Sequence, residues 1–347
     1  MYKLNSIIEN KNINKLISSF GRSPVQLNKP HEADAEIIQL SDFKLAITTD
    51  SISEEISTGL YDDPYLIGWM IVTVNFSDLA AVGASPLGIL ISEIIPREFG
   101  EDKIKELQRG ITEACKAYNT FVLGGDTNEG KELILSGTAL GIIKNENPIT
   151  RLGCKAGDIL YSTGKLGIGN AYAISKLISR TGSELNYKPV ARLCESAILN
   201  NYPACCMDTS DGLISTLDQL MRLNNVGFEL RKDWEKIIDD TALWIANSAG
   251  LPLWLLFAGQ HGEFELVFTI PQILNKQFLE SALSDGFEPI ELGRVIPEKK
   301  IKINIYGDFL SIDTTLIRNI PSKANGDINH YLKMLLEHDS QLKLNLV

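Results

Sequence analysis

Aspartate recurs in this chain where apolar runs break into turns: Asp50 in TTDS, Asp126 in GGDT, and Asp208 and Asp211 in DTSDG. Asp78 follows Asn75 by three residues, a spacing that puts both on one face of a helix. A single Asp in such a place is ordinarily a turn former or a helix cap, and Asp211 or Ser210 would suit the start of the helix-like run after them. Capping does not explain Gly124 and Gly125 ahead of Asp126, where small residues let the backbone come close to a ligand. Several carboxylates with no His or Cys among them form a hard oxygen donor set, suited to Mg2+ shared with substrate phosphates. His261 is expected to be a surface or packing residue rather than a ligand. STGKLGIGNAY (162–172) places glycines between a strand-like and a helix-like run, and a phosphate-binding turn and a plain tight turn are both open readings. A P-loop is excluded, because no Gly-x-x-x-x-Gly-Lys-Ser/Thr run occurs.

These residues need elements to hold them. FKLAITTDS (43–51) reads as a strand whose end delivers Asp50, and residues 62–84 as a long helix with Pro64 near its start and Gly83 past its end. Residues 101–119 form a second helical pattern with Ile104, Leu107, Ile111, Ala114 and Tyr118 on one stripe. Strands are expected over 120–128 and 132–143, and a helix over 3–20. The polar, turn-rich stretch 145–158 marks a boundary, giving domains 1–148 and 149–347. The second domain repeats the scheme: strand DILYSTG, helix NAYAISKLI, strand CCMDTSDG, helix LISTLDQLMRL, and sheet runs FELVFTI and IKINIYG. Strands alternating with helices in both halves predict an α/β (α+β) protein of two domains.

Composition sets the outer bounds. A length of 347 residues suits about two domains, and 44% hydrophobic with 22% charged residues suits a folded globular chain. The net charge of −11 argues against a nucleic-acid partner, which calls for a basic surface. The N-terminal residues lack a signal-peptide core, and no apolar run is long enough to suggest a membrane partner. Cys115, Cys154, Cys194, Cys205 and Cys206 are scattered without a CxxC pair, so a reduced, cytoplasmic setting is expected.

Taken together, TTDS, NFSDLAAVGASP, LGGDT, ITRLGCKAGDILYSTGKLG, DTSDGLISTL and EFELVFT resemble the superfamily of aminoimidazole ribonucleotide (AIR) synthetase-like ATP-using enzymes, and within it the thiamine-monophosphate kinases. The resemblance runs from about residue 20 to NGDINHY, which ends at residue 331. It implies a two-domain PurM-like fold, with an N-terminal mixed sheet that pairs into a dimeric β-barrel and a C-terminal α/β domain. It also implies a homodimer that uses ATP and Mg2+ to phosphorylate a small phosphorylated metabolite. Transferred motif by motif, the metal ligands are Asp34, Asp50, Asp78, Asp126, Asp208 and Asp211, with oxygens of Thr48 and Thr49. Gly125, Asp126, Arg151 and Ser210 face the ATP, and Asp126, Asp211 and Arg151 carry the catalytic role.

Departures from the family pattern fall mainly on the acceptor side, with one in the motif that carries Asp34. The usual Gly-Asp-Asp near the start is Glu32-Ala33-Asp34, and the substrate-side His is replaced by Ser57. The family's Gly-Gly-Glu-Asp-Tyr-Glu-Leu reads Gln260-His261-Gly262-Glu263-Phe264-Glu265-Leu266, so its substrate-contacting Glu falls on Gly262. A shift of one residue would put Glu263 in that role. The aromatic residue before the closing segment is also missing, with Ser322 and Lys323 in its neighbourhood. The selenophosphate synthetase branch is disfavoured because no Cys precedes Cys115, and the hydrogenase-maturation branch because the chain ends LKLNLV. Three readings remain: a thiamine-monophosphate kinase, an ATP-using relative with another acceptor, and an inactive nucleotide-binding relative.

Overall fold

The structure is a computed structural model that describes residues 3–179, 185–202, 205–305 and 307–344. In chain order its first elements are α1 (Ile8–Ile17), β1 (Glu36–Leu40), β2 (Phe43–Ser51), α2 (Ser53–Ser57), α3 (Pro64–Ala81), β3 (Ser85–Pro96), α4 (Glu101–Ala117), β4 (Val122–Gly130) and β5 (Ile134–Ile143). There follow β6 (Ile159–Ser162), α5 (Ile168–Ala173), α6 (Leu193–Leu199), β7 (Cys205–Asp208), α7 (Gly212–Asn224), β8 (Gly227–Leu230), α8 (Asp240–Ser248) and α9 (Leu255–Ala258). The last are β9 (Leu266–Ile270), α10 (Asn275–Ser284), β10 (Ile290–Ile296), β11 (Ile301–Ile305), β12 (Asp308–Ile312), α11 (Thr314–Ala324) and α12 (Ile328–Leu344). None of the described helices is long and apolar enough to cross a membrane.

The chain forms two compact units that are not two consecutive halves. One comprises Pro24–Thr150 and Asn186–Asn201; the other comprises Met1–Ser23, Arg151–Leu185 and Tyr202–Val347. The cut expected at 148/149 lies beside the Thr150–Arg151 crossing, whereas the first 23 residues and the 186–201 stretch each join the unit that is distant in sequence.

In the first unit a five-stranded sheet has the order β1-β2-β5-β3-β4, antiparallel except where β3 runs parallel to β4. One face is covered by helices, as the strict alternation of buried residues along β5 shows. α3 is apolar on nearly every side and correspondingly buried. It begins as its sequence directs: Pro64 takes the first helical position, and the Asp63 side chain accepts a bond from the Tyr65 amide at 3.0 Å. α3 and α4 approach through glycine. A Cβ on Gly68 would lie 2.0 Å from the Leu107 carbonyl oxygen, and one on Gly110 would lie 2.1 Å from that of Tyr65. β3 was not anticipated from the sequence. Its run SPLGILISEIIP carries Pro at position 2 and Gly at position 4 and lacks a clean period of two.

The second unit holds a seven-stranded sheet of order β12-β11-β8-β10-β6-β9-β7, antiparallel apart from the β8–β11 pair. Its core includes Trp254, Phe257, Phe228 and Leu217, all essentially inaccessible to solvent. α1 belongs here. Arg222 donates to Asp218 at 2.6 Å, to the Lys3 carbonyl at 2.9 Å and to Ser6 Oγ at 2.7 Å, while Arg318 bridges Asp218 at 3.3 Å and Glu9 at 3.0 Å.

Candidate active site

β2 and α3 build the first group of carboxylates. Thr48 and Asp50 alternate onto the helix-covered face of the sheet, since they pair with Ala139 and Gly137, which are buried. Thr48 Oγ1 donates to Asp78 Oδ2 at 2.5 Å, and the Asp50 amide donates to Asn75 Oδ1 at 3.0 Å. Asn75 and Asp78 thus share the face of α3 that meets β2. Asn75 is fully buried and returns its Nδ2 to the Ile71 carbonyl. It also explains Gly137, where a Cβ would stand 2.4 Å from Asn75 Nδ2.

The electrostatics of this group follow from burial and from neighbouring carboxylates. Burial pushes the Asp50 carboxyl above its ordinary range; a hydrogen bond with Asp78 opposes that rise, and the charge of Asp34 adds to it. Asp34, Asp50 and Asp78 therefore face one another with no nitrogen or sulfur ligand in the set. A divalent cation held by oxygen would reverse the sign of their repulsion.

Other expected residues take different places. Thr49 points to the opposite face of β2, where its Oγ1 donates to the Gly137 carbonyl at 2.8 Å and accepts from Thr138 Oγ1 at 3.1 Å. Asp126 pairs with Ser92, in the same cross-strand row as Ser136 and Ser51, three strands away from β2. It is exposed and accepts from Asn128 Nδ2 at 2.6 Å, so within this unit it stands apart from Asp50 and Asp78. Gly125 packs against β3, its missing Cβ replaced by the Ile91 carbonyl oxygen 1.9 Å from the ideal position. Ser57 is exposed at the end of α2 and donates to the Glu54 carbonyl.

The second unit brings together the DTSDG residues. Asp208 ends β7 at 1% exposure and accepts from Ser210 Oγ at 3.0 Å. Asp211 holds the N-cap position of α7 without making a capping bond, so the capping alternative is not what fixes its side chain. The Arg151 carbonyl is tied down by Asn224 Nδ2 at 2.8 Å and by the Cys205 thiol at 3.2 Å. The glycine-rich run forms a turn in which Gly167 adopts φ 92, a left-handed value that favours glycine. The helix after it, α5, has only six residues.

Glu263 and Glu265 gave weaker sequence signals and proved to be deeply placed. Glu263 is 4% exposed, with Oε2 accepting from the Gly167 amide at 2.8 Å. Burial pushes its carboxyl up to about 8. Glu265 Oε2 accepts from Thr163 Oγ1 at 2.5 Å. Asn170 was missed altogether: its Nδ2 donates to the Leu256 carbonyl at 2.8 Å and its Oδ1 accepts from the His261 amide at 3.1 Å. An amide inside an otherwise apolar and glycine-rich run was the available clue. His261 stays neutral, burial holding it down to about 4.

Glu263 sets a pH dependence. Its folded value of about 8 lies above the ordinary 4.5, so folding takes up a proton between those values. The resulting stability is full below about pH 4.5 and is lost as pH rises through about 8. His261 works in the opposite direction, between about 4 and 6.5. Urea midpoints of the Glu263→Gln variant are therefore expected to fall less from pH 6.5 to 9 than those of the unmodified protein. Parallel profiles would refute this account of Glu263.

Comparison with known proteins fits this architecture. Residues 32–143 match the family described as AIR synthase related protein, N-terminal domain. Thiamine-monophosphate kinase of Methanocaldococcus jannaschii is 32% identical over 287 residues, covering 76% of this chain and 86% of that protein. The chain belongs to the thiamine-monophosphate kinase family. The kinase of that name from Pyrococcus horikoshii is 30% identical over 246 residues, covering 69% of this chain and 76% of its own. Among solved structures, AaThiL complexed with AMPPCP and TMP superposes with a TM-score of 0.70 at 22% identity, covering 87% of this chain and 94% of the other. That likeness speaks for the PurM-like α/β fold. Family membership makes this chain an ATP-dependent kinase of the AIR synthase-related type.

Proposed function

We propose that this kinase transfers the γ-phosphoryl group of ATP to thiamine monophosphate with Mg2+, giving thiamine diphosphate. The observation that carries the reading is the oxygen-only group of Asp34, Asp50 and Asp78, with Thr48 bonded to Asp78 and the charge of Asp34 acting against a buried Asp50, a set that suits a divalent cation. In this reading Asp34, Asp50, Asp78, Asp126, Asp208 and Asp211 hold Mg2+, and Gly125, Arg151 and Ser210 help to bind ATP. Bound Mg2+ would neutralise the charge of the transferring phosphoryl group. The chain's own contribution is positional: β2 and α3 hold carboxylates at fixed places, and Arg151 sits where the backbone is locked by Asn224. The acceptor oxygen of a phosphate monoester is already anionic, so no general base is required.

One observation favours a second reading, in which ATP is used on another phosphorylated metabolite. At Gly262, where the resemblance implies a substrate-contacting Glu, a Cβ would lie 1.3 Å from the Thr209 carbonyl oxygen. No side chain fits there on this backbone, and Ser57 is bound to its own helix. Incubation with ATP, Mg2+ and thiamine monophosphate, read by chromatography for thiamine diphosphate, is expected to show turnover. ATP consumption only with a different phosphorylated acceptor would select the second reading.

We also place the kinase in the cytoplasm and infer that it works as a homodimer joined through β4. This edge strand is exposed from Val122 to Glu129, with Leu123 at 54% exposure and Phe121, just before the strand, at 72%, and an uncovered edge invites pairing. Leu123→Lys is expected to sediment as a monomer; an unchanged dimer would place the interface elsewhere.

A further inference from the structure

Within the second unit, Gly259–Glu265 lies against two turns at once. Toward the glycine-rich turn, Glu263 Oε2 accepts from the Gly167 amide at 2.8 Å, and a Cβ on Gly169 would strike the Gly262 carbonyl oxygen at 2.1 Å. Toward the Asp208–Gly212 turn, the Gly262 amide donates to the Ser210 carbonyl at 2.9 Å, and the Thr209 amide to that of Glu265 at 2.8 Å. Phe264, between these anchors, is held at φ 61, a conformation that a bulky residue adopts only when its surroundings impose it.

Glu263 is the polar pin of this arrangement. Its side chain is buried, and the Gly167 and Gly169 amides and the Thr209 hydroxyl bear on its carboxyl. Burying a carboxyl is costly, and an apolar side chain would fill the space at lower cost if packing were the only demand. What an apolar side chain lacks is an acceptor for Gly167.

We propose that Glu263 is a positioning residue: by holding the Gly167 amide it fixes the glycine-rich turn relative to the Ser210–Asp211 turn, so that both meet the phosphate-bearing ligands in one geometry. This rests on the kinase reading given above for the ligands, but not for the bracing itself. Glu263 does not touch the substrate; it acts through the two turns.

The test compares the full-length protein with Glu263→Gln and Glu263→Ala. Gln keeps a carbonyl that can accept from Gly167, and Ala does not. Hydrogen–deuterium exchange of the peptide spanning 163–169 is expected to rise about tenfold or more in Glu263→Ala and to stay within about threefold in Glu263→Gln. In the kinase assay Glu263→Ala should lose about 10- to 100-fold in kcat, as supporting partners of a site do, with KM for ATP changed less than about threefold, and Glu263→Gln should recover most of kcat. If Glu263→Ala does not fold, Glu263→Leu fills the space without an acceptor and is expected to exchange as fast. Equal exchange in all variants would overturn the proposal, as would loss of protection in Gln equal to that in Ala. If the unmodified protein transfers no phosphate to thiamine monophosphate, the kinase reading fails, and the exchange comparison still decides whether Glu263 braces the turn.

Discussion

Replacement of Asp50 by Asn is expected to lower turnover by about 10²- to 10³-fold while raising the melting temperature of the protein free of nucleotide and metal. The two effects have one cause. The folded Asp50 carboxyl sits above its ordinary value of 3.8, chiefly through burial and then through the charge of Asp34. Stability from such a group is present below pH 3.8 and is lost as pH rises through the folded value, so the ionised side chain burdens the fold. Asn keeps the shape and removes the charge, so the melting temperature should rise. A ligand at about a hundred times its dissociation constant adds about 2.7 kcal/mol to a fold that binds it. The thermal shift with Mg-ATP should therefore shrink in Asp50→Asn as the metal is held less well. Full turnover combined with a lower melting temperature would remove Asp50 from the site.

Asp218→Asn is expected to destabilise the fold by about 3–5 kcal/mol, the loss that follows when one partner of a buried ion pair is removed. Asp218 and Arg222 have fully buried side chains, Arg318 is nearly so, and one carboxylate oxygen serves both guanidinium groups. Neutralising the carboxylate leaves two cations with a weakened counter-charge in a dry interior. At about 2–4 °C per kcal/mol, the melting temperature should drop by roughly 6–20 °C. Turnover at 20 °C should stay within about twofold, because the network touches none of the proposed metal ligands. Differential scanning calorimetry decides it, and a drop under about 2 °C would show that the network contributes little.

Much of this was readable from residue order, for identifiable reasons. α3 announced itself through Pro64 at its start and through Asn75 and Asp78 at helical spacing, and β2 through an apolar run closed by TTDS. Both signals are local, so a sequence can carry them. β3 was not readable, because its pattern reflects a strand buried on one side and broken by Pro86 and Gly88. Thr49 illustrates a finer limit: adjacent strand residues face opposite ways, so the hydroxyls of Thr48 and Thr49 lie on opposite faces of β2. The depth of Glu263 was hidden for another reason. Its partner Gly167 lies 96 positions away, and an alignment shift of one residue changes its assigned role.

The docking of the chain's beginning onto its far end has a consequence for how the protein is made. The Ile8 amide finds Asn319 Oδ1 across 311 positions, and Glu9 finds Arg318 across 309. As the chain leaves the ribosome, α1 therefore waits for about 310 further residues before its partners exist. The first unit waits too, since Ser196 Oγ and Asn200 Nδ2 close onto the carbonyls of Ala80 and Gly83. Contacts of such separation slow folding and lengthen exposure of unfinished surface, so this chain should be more sensitive to synthesis rate and chaperone supply than its size suggests. An amphipathic N-terminal helix held back until the end acts as the clasp that is fastened last.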